Sequence, residues 1–562
     1  MEASREMMAV TDEHTPVSSS YLKRIPQFWA NSLFPEKSAA TDSTSIRWRH
    51  LLLLIFLPAL LLYPTRNFLL LEPDEGRYAE IAREMMVSGS WVVPTLQGEP
   101  YLDKPPLFYW LVKISFQLFG VSDATARLVP ALAVHLTILA LYLIGRRSLG
   151  ERSALFSALT LCILPGFMGM ARLLILDGVL TLTVTLELLC LYEAIRTQKL
   201  RLDWWYAAAL ASGLGILTKG PIALMLVIPP LIAHRWLTGR RRKASVMHLL
   251  GYGAVLAAIN LPWYWAIYQK QPVFLKYFFW DHNVMRFLQP FDHLQPVWYY
   301  VPVFFLSVLP CLFLGRSFMR WLLNESSEGR SQDVGFWLLA GSWAIIFFSI
   351  SGSKLPTYIL PAFPPLALVF GSFLTHSRRC EQRPTQLGGL AFACVLFLAF
   401  AVAVPFYAQQ RSPLRDPGLM ERVCSDPETP IVCFPRNCDS VSFYLNRADL
   451  ISLRGKQAND LLKKVLEVPR TVVLFTHDHS LGTFEPIMPH DIYLEESISL
   501  RKPRREQNII DRVIGANPWG LCDIAVVKHK RWGPDLSAPH AVQSAQVDPR
   551  QVHNHEDHDY RD

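Results

Sequence analysis

Two charged stretches in the first 105 residues set the chemical question: Pro73-Asp74-Glu75-Gly76-Arg77-Tyr78 and Tyr101-Leu102-Asp103-Lys104-Pro105-Pro106. Asp74, Arg77 and Tyr78 recur at three- and four-residue steps, so a helix over 74–88 puts them on one face. Pro73 suits the head of such a helix. Asp74 is then either a solvated charge on an interfacial helix, or a base or electrostatic partner for a developing sugar cation. Lys104 has the compact charge that suits a phosphate. It also has the long stem that lets a lysine snorkel to lipid head groups.

Further polar residues stand later in the chain. Asp177 begins an apolar segment, where an acid complements the helix dipole or marks the mouth of a membrane cavity. Phe278-Phe279-Trp280-Asp281-His282-Asn283-Val284-Met285-Arg286 adds a planar phosphate clamp in Arg286. Its Asp281 and His282, with Asp103, could ligate a zinc or magnesium ion; a lone histidine beside carboxylates can also be simply hydrogen-bonded. Ser353-Lys354-Leu355-Pro356-Thr357-Tyr358 contributes another cation and a phenol. Lys104, Arg286, Lys354 and Tyr358 as donors, and Asp74, Asp103 and Asp177 as acids, amount to a site for an anionic lipid head group if they lie on one side of a membrane.

The elements that would position them are membrane spans. Of the 562 residues 51% are hydrophobic and only 18% charged, where a soluble domain carries about a quarter charged. Mean hydropathy is +0.21. The apolar residues gather in runs near the length that crosses a bilayer as a helix. The expected spans are 48–65, 126–146, 153–170, 176–195, 204–218, 221–237, 246–267, 298–316, 334–350, 356–374 and 387–407. This is a polytopic α-helical membrane protein of about 11–13 spans, because backbone groups in lipid must be satisfied internally.

The net charge of +8 is placed to orient these spans. Arg47 and Arg49, Arg146, Arg147 and Arg152, Arg196, Lys199 and Arg201, Arg240 to Lys243, and Arg378 and Arg379 all fall on alternate connections, the cytoplasmic ones by the positive-inside rule. That pattern accounts for the basic balance and excludes a nucleic-acid partner as its reason. The loops 66–125, 171–176, 267–297 and 351–356 then share the outer face, and they hold the polar residues named above. Residues 1–46 read as a cytoplasmic tail, since they lack an apolar signal core, and 47–407 as the membrane domain.

From 408 the character changes. Residues 431–437, 440–446 and 471–476 read as strands, 457–468 as an amphipathic helix and 522–529 as a closing strand. An α/β domain over 408–532 on the outer side is expected, followed by a disordered tail, 533–562. Of nine cysteines, Cys424, Cys433, Cys438 and Cys522 fall in that domain. An oxidising compartment permits disulfides there, but the spacing gives neither a pairing nor a zinc site.

With these motifs in view, the chain resembles the aminoarabinose lipid A transferases, within the polyprenyl-phosphate-dependent GT-C glycosyltransferases related to protein O-mannosyltransferases. Pro73–Tyr78, Asp103–Leu107 and Ser353–Pro361 carry the resemblance, which spans roughly residues 48–375. It implies a GT-C fold, a bacterial inner-membrane location with the catalytic loops and C-terminal domain in the periplasm, and a sugar donor on undecaprenyl phosphate. It implies catalytic roles for Asp74, Arg77 and Asp177, and contact with the lipid phosphate for Lys104, Arg286, Tyr358 and Lys354. It also implies a divalent-cation site at Asp103 and His282, although those relatives carry Glu where Asp103 stands. The acceptor would be lipid A, lipopolysaccharide or another envelope glycan or lipid. The alternatives are a flippase for the same lipid and a protein O-glycosyltransferase. Internal repeats and mid-span charges, which a transporter would favour, are not seen in the sequence.

Overall fold

The computed structural model describes residues 47–238, 244–289, 293–324, 331–411, 417–476, 480–499 and 523–530. The expected tails 1–46 and 533–562, the basic run 240–243 and Cys522 lie outside the described residues. Among the described residues six helices are long and apolar enough to cross a membrane: Asp123–Leu149, Leu176–Ile195, Val246–Lys270, Gln332–Ile350, Pro356–His376 and Arg383–Gln409. Shorter apolar helices span Trp48–Leu62, Leu107–Phe119, Ile222–Thr238 and Val297–Ser307. Leu202–Lys219 is a further helix of 18 residues. This is a multi-span helical membrane protein, as its hydropathy leads one to expect.

Two expected spans are broken, and proline is the cause in both. Over 298–316 the chain forms Tyr300–Ser307, Leu309–Leu312 and Gly315–Leu323 rather than one helix. Pro310 lacks the amide that would continue the first of these. Over 153–170 a helix Glu151–Ile163 ends at Leu164 and restarts at Pro165. The residue before a proline is pushed out of the helical region, and Leu164 is extended at φ −75° and ψ 112°.

One end of the bundle is tied by arginines. Glu193, almost fully buried, takes Arg196 at 2.6 Å, Arg147 at 3.2 Å and Arg201 at 3.5 Å. At the other end the first long loop folds into a helix, Asp74–Val87, a two-stranded hairpin of β1 (Thr95–Leu96) and β2 (Glu99–Pro100), and the helix Leu107–Phe119. The hairpin turns through Gln97 and Gly98, both at positive φ, and their amides bond the Glu84 carboxylate. Arg127 roots the loop. It is fully buried, grips both oxygens of Glu75 at 2.6 and 2.9 Å, and also bonds the carbonyls of Arg66, Phe68 and Leu69. Burial works against the Glu75 carboxylate, but the Arg127 charge and its hydrogen bonds hold it below its usual range. Removing one partner of such a pair costs about 3–5 kcal/mol.

The C-terminal region is a five-stranded mixed sheet with helices. Strands β3 (Ile431–Phe434), β4 (Ile451–Ser452), β5 (Arg470–Phe475), β6 (Ile492–Ser499) and β7 (Asp523–His529) run in the order β4-β3-β5-β7-β6. The parallel pairs β3–β4 and β3–β5 adjoin antiparallel β5–β7 and β6–β7. The helix Ala458–Glu467 lies where expected. Residues 440–446 do not form the expected strand: Asp439–Leu445 is a helix. Asp439 sits in its first turn, where an acid suits the dipole, and Asn446 ends it in the left-handed conformation at φ 55°, which asparagine tolerates. Buried Ser440, Val441, Ser442 and Phe443 are packed by tertiary contacts that the apolar alternation does not reveal.

Candidate active site

The helix Asp74–Val87 sets out its charged face as the sequence predicts. Arg77 Nη1 stands 3.4 Å from Asp74 Oδ1, with Asp74 two-fifths exposed. Tyr78 points inward against Phe108 and Tyr109, so the aromatic run after Lys104 is core for this helix. Glu75, one residue on from Asp74, faces the opposite way into the Arg127 pair.

A second group of charges forms where four connections meet. Lys104 Nζ lies 2.6 Å from His282 Nε2, and Arg286 Nη1 approaches the same nitrogen at 3.1 Å. Tyr277 donates its hydroxyl to Asp103 at 2.7 Å. Tyr277, His282 and Arg286 come from a stretch that winds as a π-helix, Lys276–Met285, and continues as an α-turn. The wider winding brings the rings of Tyr277 and His282, five residues apart, to 5.9 Å. Such winding is frequent at functional sites.

Asp177 joins from the start of the helix Leu176–Ile195. Its partner is Lys219, at 2.6 Å, with the Thr357 hydroxyl 3.5 Å from its other oxygen. The Lys219 ammonium also stands 4.6 Å above the Tyr358 ring, a cation–π arrangement. Lys219 ends the helix Leu202–Lys219, and Gly220 follows at φ +80°. A Cβ on Gly220 would stand 2.5 Å from the Phe278 ring, so this glycine lets the turn close onto the π-helix. Lys219 is absent from the sequence-derived site. Its signal was a lysine in a tight turn on the face that the positive-inside rule leaves poor in lysine.

The electrostatics favour an incoming anion. Burial, then the charges of Lys219 and Arg286, push Lys104 down to about 7. Burial, then the Lys104 charge, hold His282 down to about 3. His282 is therefore neutral and accepts from the cations around it. The cations Lys104, Lys219 and Arg286 gather here with the carboxylates Asp103 and Asp177. Lys354 acts elsewhere. Its ammonium bonds the backbone carbonyls of Gln295 and Ser351, tying two loops together beside the Leu294–Ser353 bridge.

The expected divalent-cation site is not assembled. Among the described residues no group of three or more His, Cys, Asp and Glu side chains converges on a point. His282 Nε2 faces two cationic donors, Asp103 receives a hydroxyl, and Asp281 is exposed.

Comparison with known proteins agrees with this layout. Residues 103–265, which include Lys104, Asp177 and Lys219, match the family described as dolichyl-phosphate-mannose-protein mannosyltransferase. An undecaprenyl phosphate-alpha-4-amino-4-deoxy-L-arabinose arabinosyl transferase 2 of Pseudomonas fluorescens is 38% identical over 60% of this chain and 58% of its own length. A transferase of the same name from another strain of that species is 36% identical over 66% of this chain and 68% of its own. The chain belongs to this aminoarabinosyl transferase family. Its match to the first of these relatives covers less than two thirds of that protein. The fold is that of the family as well. The crystal structure of ArnT from Cupriavidus metallidurans bound to undecaprenyl phosphate superposes with a TM-score of 0.67, covering 87% of this chain and 100% of that one at 20% identity. The GT-C architecture expected from the motifs is thus present.

The family resemblance does not by itself bring the site residues together; the folded chain does. It joins Lys104, Arg286, Asp103 and His282 directly, and Asp177 and Tyr358 through Lys219. Arg77 and Asp74 form a neighbouring group. The two groups meet at Tyr101, a buried phenol on which the charges of both Asp103 and Arg77 act. Tyr101, Tyr277 and Lys219 are the contributors that sequence reasoning missed.

Proposed function

We propose that this protein transfers a single sugar from an undecaprenyl phosphate donor to lipid A, lipopolysaccharide or another envelope acceptor, at the periplasmic face of the bacterial inner membrane. The observation that carries this reading is the convergence of Lys104, Lys219 and Arg286 around neutral His282. That gathering of cationic side chains suits the charge of a lipid phosphate.

In the reaction the bond between the sugar's anomeric carbon and the phosphate oxygen breaks, and the phosphate keeps the electron pair. A new bond forms from that carbon to the acceptor oxygen. Lys104, Arg286 and Lys219 stabilise the charge growing on the leaving phosphate, a fixed electrostatic role worth several kcal/mol. Tyr358 shapes the approach by holding Lys219 over its ring. Asp177 keeps Lys219 extended toward the phosphate. Asp74, the exposed carboxylate of the neighbouring group, faces the acceptor. If the acceptor is a phosphate it is already ionised and Asp74 only orients it. If it is a hydroxyl, Asp74 takes its proton.

The test is mass spectrometry of lipid A and envelope glycans from cells with the gene, without it, and with Lys104→Ala. The expected result is a sugar-sized mass difference that needs the intact lysine. Identical profiles in all three would refute the transferase reading. A sugar found on envelope proteins instead would move the acceptor to the protein O-glycosyltransferase reading, which the matched mannosyltransferase family favours.

A further inference from the structure

The C-terminal sheet domain reaches the candidate site at one place. Its helix Asp439–Leu445 lies directly on the helix Asp74–Val87. Gly76 permits the approach: a Cβ there would stand 2.6 Å from the Ser440 amide nitrogen and 2.8 Å from Glu72 Oε1. That amide donates to Glu72 at 2.6 Å. Asp439 is fully buried in the seam. One of its oxygens accepts from Gln97 Nε2 at 3.1 Å, and the other lies 3.6 Å from Arg77 Nε. Arg77 therefore stands between a buried carboxylate of the C-terminal domain and the exposed carboxylate of Asp74. Its charge also acts on Tyr101, the phenol that Asp103 acts on from the Lys104 side.

We propose that Asp439 is a positioning residue for the transfer reaction: it holds Arg77 between Asp74 and Tyr101, so that the site is complete only with the C-terminal domain docked. This rests on the transferase reading above. The physical reason is competition for one guanidinium. Arg77 has five donors in a fixed plane. With its Nε side engaged by Asp439, it can meet Asp74 only edge-on through Nη1 and cannot swing out to form a two-pronged pair. Asp74 keeps a free oxygen for the acceptor. Without the Asp439 charge, Arg77 has no buried anion to hold it and collapses onto Asp74, neutralising the carboxylate that the reaction uses. Arg77 is the cation that the Asp439 charge meets. Burial pushes its carboxyl up to about 6 against the pull of that arginine, and the charged groups facing it are otherwise acidic: Glu72, Asp74, Glu80 and Glu84, with the Cys433 thiol behind. A buried carboxylate among acids is a poor structural element; a buried carboxylate that aims one arginine is a useful one.

The test uses the full-length protein in lipid nanodiscs with aminoarabinosyl undecaprenyl phosphate and lipid A. Asp439→Asn is expected to lower kcat about 10- to 100-fold, a positioning loss, with donor KM changed less than about threefold. Asp439→Glu should recover part of the loss. The acid limb of the kcat profile near pH 6 should disappear in Asp439→Asn. Asn446→Ala is the control: it removes the Arg83–Asn446 contact in the same seam without touching Arg77, and should leave kcat and the profile unchanged. Thermal unfolding of each variant reports folding separately. Wild-type kcat and profile in Asp439→Asn would overturn the proposal. So would an equal loss in Asn446→Ala, since docking alone would then explain both. If the wild-type protein makes no product, the transferase reading itself fails and this inference with it. An active wild type with an indifferent Asp439→Asn sinks the inference alone.

Discussion

Two polar clusters at the same end of the molecule are built from opposite charges. Around His282 the cations Lys104, Arg286 and Lys219 gather, and burial with crowding drives Lys104 down to about 7. In the seam beneath the C-terminal domain, acids outnumber cations: burial, then the Asp439 charge, drives Glu72 up to about 8. Both clusters are frustrated in the absence of something else. The cationic one is the proposed site of the lipid phosphate. The acidic one is closed, and Arg77, Arg83, the Gln97 side chain and backbone amides meet it. Gathered cations suit an anionic ligand; acids sealed inside make a fastening whose strength depends on pH.

The largest expected effect breaks the cationic side. Lys104→Ala should reduce transfer at least about 100-fold, the scale for losing one fixed charge at a developing anion, read by product formation from donor and lipid A. An arginine there should restore only part, because its plane cannot reproduce a point charge. Next comes pH. Lys104 titrates near 7 when the site is empty, and a bound phosphate raises that value, so binding takes up a proton. Affinity for undecaprenyl phosphate should be highest below pH 7 and fall as pH rises above it, measured by titration calorimetry at pH 6 and pH 8.5. Lys104→Ala should remove that slope.

The acidic side predicts the reverse kind of dependence, in stability. Glu72 binds its proton more tightly in the folded protein than in the unfolded chain. Its contribution is therefore fully present below the unfolded value of about 4.3 and is lost as pH rises through about 8. Thermal stability of the loop–domain seam should decline from pH 5 to pH 8, and Glu72→Gln should flatten that decline. The smallest effect belongs to the glycine. Gly76→Ala forces a Cβ against the Ser440 amide and should destabilise the seam by about 1–3 kcal/mol, as overpacking does. Faster proteolysis between the membrane and sheet domains would show it.

The sequence made most of the cationic cluster legible because its members sit in recognisable company. Lys104 is followed by two prolines and an aromatic run, and Arg286 follows a loop rich in aromatic residues. Lys219 was missed because a hydropathy reading ends the span before it and begins the next span just after, leaving no loop to inspect. The π-winding at Lys276–Met285 leaves no mark in composition, so the pairing of Tyr277 with His282 had no signal either. The helix Asp439–Leu445 was hidden for another reason. Its apolar residues face the first loop from more than three hundred positions away, and alternation within seven residues cannot report a partner at that distance. Where the expected spans are broken, at 153–170 and 298–316, the prolines were visible but their consequence depended on neighbours that could donate to the freed carbonyls.

Asp74 and Glu75 are adjacent in the chain, yet one is partly open to solvent while the other is bolted to Arg127 in the interior. A single peptide link separates a moving part from bedrock. The reach of Asp74 is thus set by rotation about its own side-chain bonds and by nothing longer. Inserting one residue between the two would keep every functional group of the motif and still unhinge the carboxylate from the frame that aims it.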